Sequence, residues 1–331
     1  LRHLFRGFII LIALATAGLI AAIVAIAMPF PPMPPETDVF GFSRERDNGA
    51  ADLPLQQFRA RDGDALAYRF YDAANERILV FVHGSSYHGA GYDELAKYVS
   101  AAGAAKVVLP NMRGHYFSGR RRGDVEYVGQ YEDDIVDLTR ELRKQGHNGP
   151  IILGGHSSGG GFVLRFAGGK APQQEAIASY VAMAPVIPRT AAVRGGNAGG
   201  WNVIHPPRIL GLVALNIIGV HGFDGLPIIA FNKPAGAWNG TETLAYSWRL
   251  NSSYHPRNDY AADVKAMPSN SLVLVGDKDE AVDSTALLDL LKASGYRGRA
   301  EVLAETTHFG IFHDAEALKR MTDFIATVPV P

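Results

Sequence analysis

Apolar and polar positions divide the chain into three regimes. From Phe8 to Met28 the sequence FIILIALATAGLIAAIVAIAM is apolar and free of charge. As a helix this run spans about 30 Å, the thickness of a bilayer core. It has no polar face, which argues against a helix buried in a soluble core. Residues 29–35, PFPPMPP, cannot continue a helix and predict a stiff, extended spacer. Residues 36–52 are polar, are expected to be poorly ordered, and place the start of the folded domain near Leu53.

Beyond Leu53, short apolar runs alternate with stretches of helical spacing. Gln56–Ala60 and Ala65–Tyr71 flank Arg61-Asp62-Gly63-Asp64, a hairpin signal. Buried strands are predicted at Ile78–Val82, Lys106–Pro110, Ile151–Leu153, Ile177–Ala184, Ser271–Val275 and Ala300–Ala304. Helices are predicted at Tyr92–Ala102, Tyr127–Gln145, Gly160–Ala167, Ser284–Ala293 and Glu316–Ala326. This alternation implies an α/β fold, a mostly parallel sheet covered by helices on both faces. Residues 185–268 break the rhythm. They are rich in Gly, Pro, Trp and Asn, with one apolar helix candidate at Ile209–Val220.

The candidate chemistry lies at strand ends. Gly155-His156-Ser157-Ser158-Gly159 matches G-x-S-x-G, a serine exposed on a sharp strand-to-helix turn. Glycine two residues either side of the serine relieves collisions that a side chain would create there. With 36 glycines in the chain the pattern alone decides little, so its place between a predicted strand and helix is what gives it weight. Two later strands run into Gly276-Asp277-Lys278-Asp279 and Glu305-Thr306-Thr307-His308. In an open parallel sheet, active groups sit beyond such carboxyl ends, and Ser, Asp, His is the order this architecture uses. Asp277 and Asp279 compete for one role, and His308 and His313 for another.

Charge and composition narrow the partners. The 331 residues carry a net charge of −1, which argues against nucleic acid. The absence of cysteine excludes disulfides and thiolate chemistry. Arg2, His3 and Arg6 precede the apolar run, so positive-inside bias puts the N-terminus in the cytoplasm and the bulk of the chain across the membrane. Ala25-Ile26-Ala27 could serve as a cleavage site, so a signal peptide and secretion are the alternative to an uncleaved anchor.

Taken together, the chain resembles an α/β-hydrolase of the monoglyceride lipase and lysophospholipase type, a group with serine aminopeptidase-like members. The resemblance is carried by His83-Gly84-Ser85, by Arg113-Gly114-His115-Tyr116-Phe117-Ser118-Gly119, by the Ser157 turn, by Gly276-Asp277-Lys278-Asp279 and by His308. It implies an eight-stranded α/β-hydrolase sheet in two parts, 53–185 and 269–331, with a cap inserted at 186–268. Residues 1–28 form the transmembrane helix or signal peptide and 29–52 the proline-rich linker. It implies Ser157 as nucleophile, His308 as base and acid, and Asp279, favoured by the family's Gly-x-x-Asp spacing, as orienting carboxylate. The backbone N–H groups of Ser158 and Ser85 would form the oxyanion hole. No metal and no organic cofactor is implied.

Two positions depart from the family pattern: Asn111-Met112 replaces its usual aspartate, and Ser158 its frequent methionine. His83, Arg113 and His156 are expected to pack and tie loops together. His88, His147, His205, His221, His255 and His313 are expected on the surface or in loops, although Tyr87 and His88 could also line the site. Three roles stay open for Ile209–Ile218: buried packing, an acyl pocket, or contact with a bilayer. Trp201, Trp238 and Trp248 are candidates for pocket lining. The expected activity is hydrolysis of small apolar or monoacyl lipid esters. A peptidase of the same fold and a catalytically silent anchored binding module are the alternatives.

Overall fold

The computed structural model describes residues 2–42, 53–169, 177–194 and 199–330. The linker expectation for 43–52 lies outside the described residues. Among the described residues one helix, α1 (Arg2–Ala27), is long and apolar enough to cross a membrane, with a mean hydropathy of 2.9, a test that a signal sequence also passes.

An eight-stranded sheet follows. Strands β1 (Gln56–Arg59) and β2 (Ala65–Tyr71) form the expected hairpin, turned at Gly63 with φ 84°. The others are β3 (Ile78–Val82), β4 (Lys106–Pro110), β5 (Ile151–His156), β6 (Ser179–Met183), β10 (Ser271–Gly276) and β11 (Arg299–Leu303). Their spatial order is β1-β2-β4-β3-β5-β6-β10-β11. Only β2 runs opposite to the other seven strands. Every residue of β3, β4, β5, β6 and β10 is buried. Burial on both faces is why these strands read as unbroken apolar runs rather than alternating ones.

On the helical layers, α2 (Asp93–Ala101) packs with α9 (Ala315–Ala326). α4 (Ser158–Ala167) packs with α6 (Trp248–Tyr254) and α7 (Tyr260–Ala266), and α3 (Gln130–Lys144) also meets α6. α8 (Ser284–Ala293) links β10 to β11. The helix expected from Tyr127 begins at Gln130, because Gly129 stands at φ 104°, outside helical geometry.

Within residues 186–268 the chain builds a second, three-stranded antiparallel sheet of β7 (Asn202–Ile204), β8 (Pro227–Phe231) and β9 (Ala245–Ser247). The apolar helix here is α5 (Pro206–Ile217), started by Pro206 and Pro207 and capped by the His205 side chain, which accepts from the Arg208 amide. It is not simply buried. Gly211, Leu212 and Leu215 face α1, against Ala22 and Ile26, while Leu210, Ile217 and Ile218 stay 63–79% exposed. His205 and Arg208 hold the Met28 carbonyl, each at 3.0 Å.

Candidate active site

Four strand ends converge on one spot. β5 delivers Ser157 at φ 57° and ψ −121°, a strained conformation for a residue with a side chain. The flanking glycines make that turn possible. A Cβ on Gly155 would collide with the backbone of Gly159, and one on Gly159 with the carbonyls of Val82 and His83. The loop after β10 presents Asp279, and the loop after β11 presents His308.

The structure brings Ser157, His308 and Asp279 into a line. His308 Nε2 lies 3.0 Å from Ser157 Oγ, and His308 Nδ1 lies 2.8 Å from Asp279 Oδ2. Asp279 Oδ1 also accepts from the amides of Ala281 (2.8 Å) and Val282 (2.7 Å), which fixes the carboxylate plane. Because Asp279 can only accept, Nδ1 carries the proton and Nε2 is left to accept from the serine hydroxyl. The two competitors lie elsewhere: Asp277 is exposed, and His313 pairs with Glu94 at 2.5 Å on the surface.

Ser85, at the end of the loop after β3, places its hydroxyl 2.6 Å from that of Ser158. The two residues therefore sit side by side next to Ser157. As the first residue of α4, Ser158 has an amide with no acceptor inside the helix, at the positive end of the helix dipole.

A buried network holds the loops. His83 Nε2 accepts from the Met112 amide at 3.0 Å. Arg113 bridges Asp62 (2.9 Å), Asp64 (2.7 Å) and Asp134 (2.7 Å), tying the β1–β2 turn to α3. Tyr246 from the inserted segment accepts from the Ser86 amide and meets His115 Nε2, each at 2.7 Å. Burial pushes His83 and His88 down to about 3, and His115 and His156 well below the ordinary imidazole value. His88 and His205, expected on the surface or in loops, are buried.

Several contacts were not foreseen from sequence. His156 does more than pack: it hydrogen-bonds the backbone of His308 at 2.8 Å. Glu280 accepts from the His308 amide at 2.8 Å. Trp201 lines the site, whereas Trp238 is 52% exposed. The largest surprise is in the linker. Phe40 and Phe42, within a stretch expected to be poorly ordered, are 8% and 2% exposed and pack over the site. Free space between Phe40, Gly84, Ser85, Ser157, Trp201, His308 and Phe309 is only about 10 Å³, room for about one water. The available signal was a pair of aromatics, Val39-Phe40-Gly41-Phe42, in an otherwise polar linker.

Comparison with known proteins agrees with this architecture. A family model described as serine aminopeptidase, S33, matches residues 73–206. A monoacylglycerol lipase of Mycolicibacterium smegmatis is 28% identical over 131 residues, which cover 37% of this chain and 46% of that protein. A monoglyceride lipase homolog of Monkeypox virus is 32% identical over 87 residues, 25% of this chain and 30% of that protein. The chain thus spans less than half the length of the curated relatives it matches. The crystal structure of Paleococcus ferrophilus monoacylglycerol lipase superposes with a TM-score of 0.58 at 19% identity, covering 80% of this chain and 99% of that one. A soluble variant of the Saccharomyces cerevisiae monoglyceride lipase, solved with a substrate analog, gives 0.58 at 16% identity, covering 90% and 98%. The chain therefore has the α/β-hydrolase fold, and over part of its length its sequence is similar to the serine aminopeptidase S33 model and to monoglyceride lipases.

Proposed function

We propose that this protein is a membrane-anchored serine hydrolase that cleaves carboxylic esters of monoacyl lipids or similar apolar alcohols and acids. The observation that carries this reading is the line from Ser157 Oγ through the His308 imidazole to Asp279, at 3.0 Å and 2.8 Å. Ser157 attacks the ester carbonyl while His308 Nε2 takes its proton. Asp279 holds the tautomer and stabilises the imidazolium. The amides of Ser158 and Ser85 donate to the oxyanion. His308 returns the proton to the leaving alcohol, then activates water to release the acid from Ser157.

The lipid-ester class is supported by the relatives' names and by the apolar side of α5. Leu210, Ile217 and Ile218 are exposed on the same helix whose other face packs against α1, so free apolar surface stands near the anchor. With Arg2, His3 and Arg6 on the cytoplasmic side, the hydrolase domain lies on the opposite side of the membrane.

A peptidase that reads a free amino terminus needs a carboxylate in the cap to pair with it. Four are available in 186–268, and each is engaged. Glu242 pairs with Lys233 at 3.1 Å and Asp263 with Arg257 at 2.7 Å. Asp224 accepts from Asn216 at 2.6 Å, and Asp259 caps α7. The ester reading is therefore preferred.

The test is hydrolysis of p-nitrophenyl esters from acetate to palmitate, and of a monoacylglycerol, by the full chain in detergent micelles beside Ser157→Ala. Ester turnover lost in the variant is the expected result. Cleavage of aminoacyl-nitroanilides without ester turnover would replace this reading with the peptidase one.

A further inference from the structure

The space where an ester would bind is already filled by the protein itself. After the proline spacer, Asp38–Gly41 forms a turn closed by a 3.1 Å hydrogen bond from the Gly41 amide to the Asp38 carbonyl, with Gly41 at φ 71°. The turn drives two aromatic rings into the mouth of the site. Phe40 lies 5.2 Å from the His308 ring, 5.3 Å from Phe309 and 5.5 Å from Trp201, centroid to centroid. Phe42 stacks on Trp201 at 4.9 Å. The residual space of about 10 Å³ falls far short of the roughly 300 Å³ or more that a small-molecule site provides.

The attachment of this segment suits exchange rather than permanence. Phe40 and Phe42 contribute apolar contact, which an acyl chain reproduces at little net cost. The polar ties sit upstream of the rings: Thr37 Oγ1 donates to the Gly199 carbonyl at 2.9 Å, Asn232 Nδ2 donates to the Pro34 and Pro35 carbonyls at 3.3 Å and 3.1 Å, and Glu36 accepts from the Ala235 amide at 3.3 Å. The spacer leads directly from Met28, at the end of the anchor, which His205 and Arg208 of the cap segment hold in place. The turn, the cap and the anchor are therefore one mechanical unit at the membrane end of the molecule.

Building on the serine-hydrolase reading above, we infer that Asp38–Phe42 is a tethered, autoinhibitory plug, and that an acyl chain entering beside the anchor displaces Phe40 and Phe42 to reach Ser157. The plug keeps bulk water and short polar esters from Ser157 while the site is empty. The apparent affinity for substrate is reduced by the fraction of molecules that are closed.

The absence of cysteine gives a clean test. An ideal Cβ on Gly199 would stand 3.6 Å from Val39 Cβ, within the span of a disulfide. The double variant Val39→Cys/Gly199→Cys can thus lock the plug when oxidised and free it when reduced. One preparation serves both states, so any strain from a side chain at Gly199 (φ +69°) is common to both. The readout is the rate at which a long-chain alkyl fluorophosphonate labels Ser157 in the full chain in micelles, with Ser157→Ala as the blank.

Oxidation should slow labelling about tenfold or more, and dithiothreitol should restore it. Phe40→Ala/Phe42→Ala should label about tenfold faster than the wild type. Equal rates in the oxidised and reduced forms, or no acceleration in the phenylalanine variant, would overturn the plug while leaving the hydrolase reading intact. Failure of every form to label, the phenylalanine variant included, would overturn the hydrolase reading and the plug with it.

Discussion

The ring of His156 joins the loop after β3 to the backbone of His308. Its Nε2 donates to the His308 carbonyl at 2.8 Å, and its Nδ1 accepts from the Tyr92 hydroxyl at 2.9 Å. The Tyr92 oxygen in turn accepts from the Gly84 amide at 2.9 Å. A single hydrogen-bonded chain therefore spans from the residue before Ser85 to His308. His156 is fully buried, and that burial holds its pKa well below 6.5, so it stays neutral and keeps both roles.

Removing the middle of that chain should misplace both ends. His156→Ala takes away the acceptor of the Tyr92 O–H proton and the donor to the His308 carbonyl, at about 1–3 kcal/mol each. A displaced His308 lengthens its bond to Ser157, so kcat should fall by roughly 10²-fold, because small misplacements of reacting groups are costly. Tyr92→Phe keeps the ring and removes only the hydroxyl, and should show a smaller loss. Steady-state kinetics on one ester, with thermal melts of both variants, check this. An unchanged kcat in His156→Ala would refute the positioning role.

Asp279→Asn should leave the fold intact and nearly abolish turnover. Oδ1 is claimed by the Ala281 and Val282 amides, so the asparagine carbonyl takes that side. Its NH2 then faces His308 Nδ1, which must become the acceptor. The proton moves to Nε2, where it can no longer accept from Ser157 Oγ. A loss of roughly 10⁴-fold in kcat is expected, with little change in melting temperature. Activity within a few-fold of wild type would show that another group orients His308.

Buried neutral histidines should make the protein acid-labile. Desolvation by burial lowers His83 and His88 to about 3, and His255 to about 4, from an ordinary value of 6.5. The unfolded chain binds protons on these rings first, so their contribution is complete above about pH 6.5 and is lost progressively as pH falls toward the folded values. At pH 5 each ring costs about 2 kcal/mol, and three together rival a typical total stability. Loss of the circular dichroism signal should therefore begin below pH 6 and be largely complete near pH 4, with His88→Gln shifting the midpoint downward. A fold that persists unchanged to pH 3 would contradict the burial of these rings as neutral groups.

These buried groups also show where sequence reading stops. The sheet was legible because strands covered on both faces must be continuously apolar, and Ile78–Val82, Lys106–Pro110 and Ser271–Gly276 are. Ser157 was legible because its turn tolerates only glycine nearby. The three-residue strands Asn202–Ile204 and Ala245–Ser247 were not, since three residues hold no period. The role of His156 was invisible, because a neighbour of Ser157 gives no hint of a carbonyl 152 positions away. Phe40 and Phe42 are hidden in the sequence for a related reason. Their burial comes from the site they cover, not from any pattern in their own segment.

The contact between α1 and α5 rests on one missing side chain. A Cβ at Gly211 would lie 2.7 Å from the Ala22 carbonyl and 2.7 Å from Ile26 Cγ2, closer than any real contact. Helices approach this closely only where one of them has no side chain, as at small-residue positions between membrane helices. Gly211→Leu must therefore push α1 and α5 apart, because the obstacle on one side is backbone and cannot rotate away. Helix propensity works in the opposite direction, since leucine favours a helix interior over glycine by somewhat under about 1 kcal/mol. The overpacking term, about 1–3 kcal/mol, is larger and sets the sign. A fall of several degrees in the melting temperature of the full chain in micelles is expected, at about 2–4 °C per kcal/mol for a chain of this size. Arg208, which reaches the Ile26 and Met28 carbonyls at 3.1 Å and 3.0 Å, would lose those partners as the helices separate. The linker should then become more open to protease. A Gly211→Leu protein as stable and as protease-resistant as wild type would mean that α1 does not rest on α5.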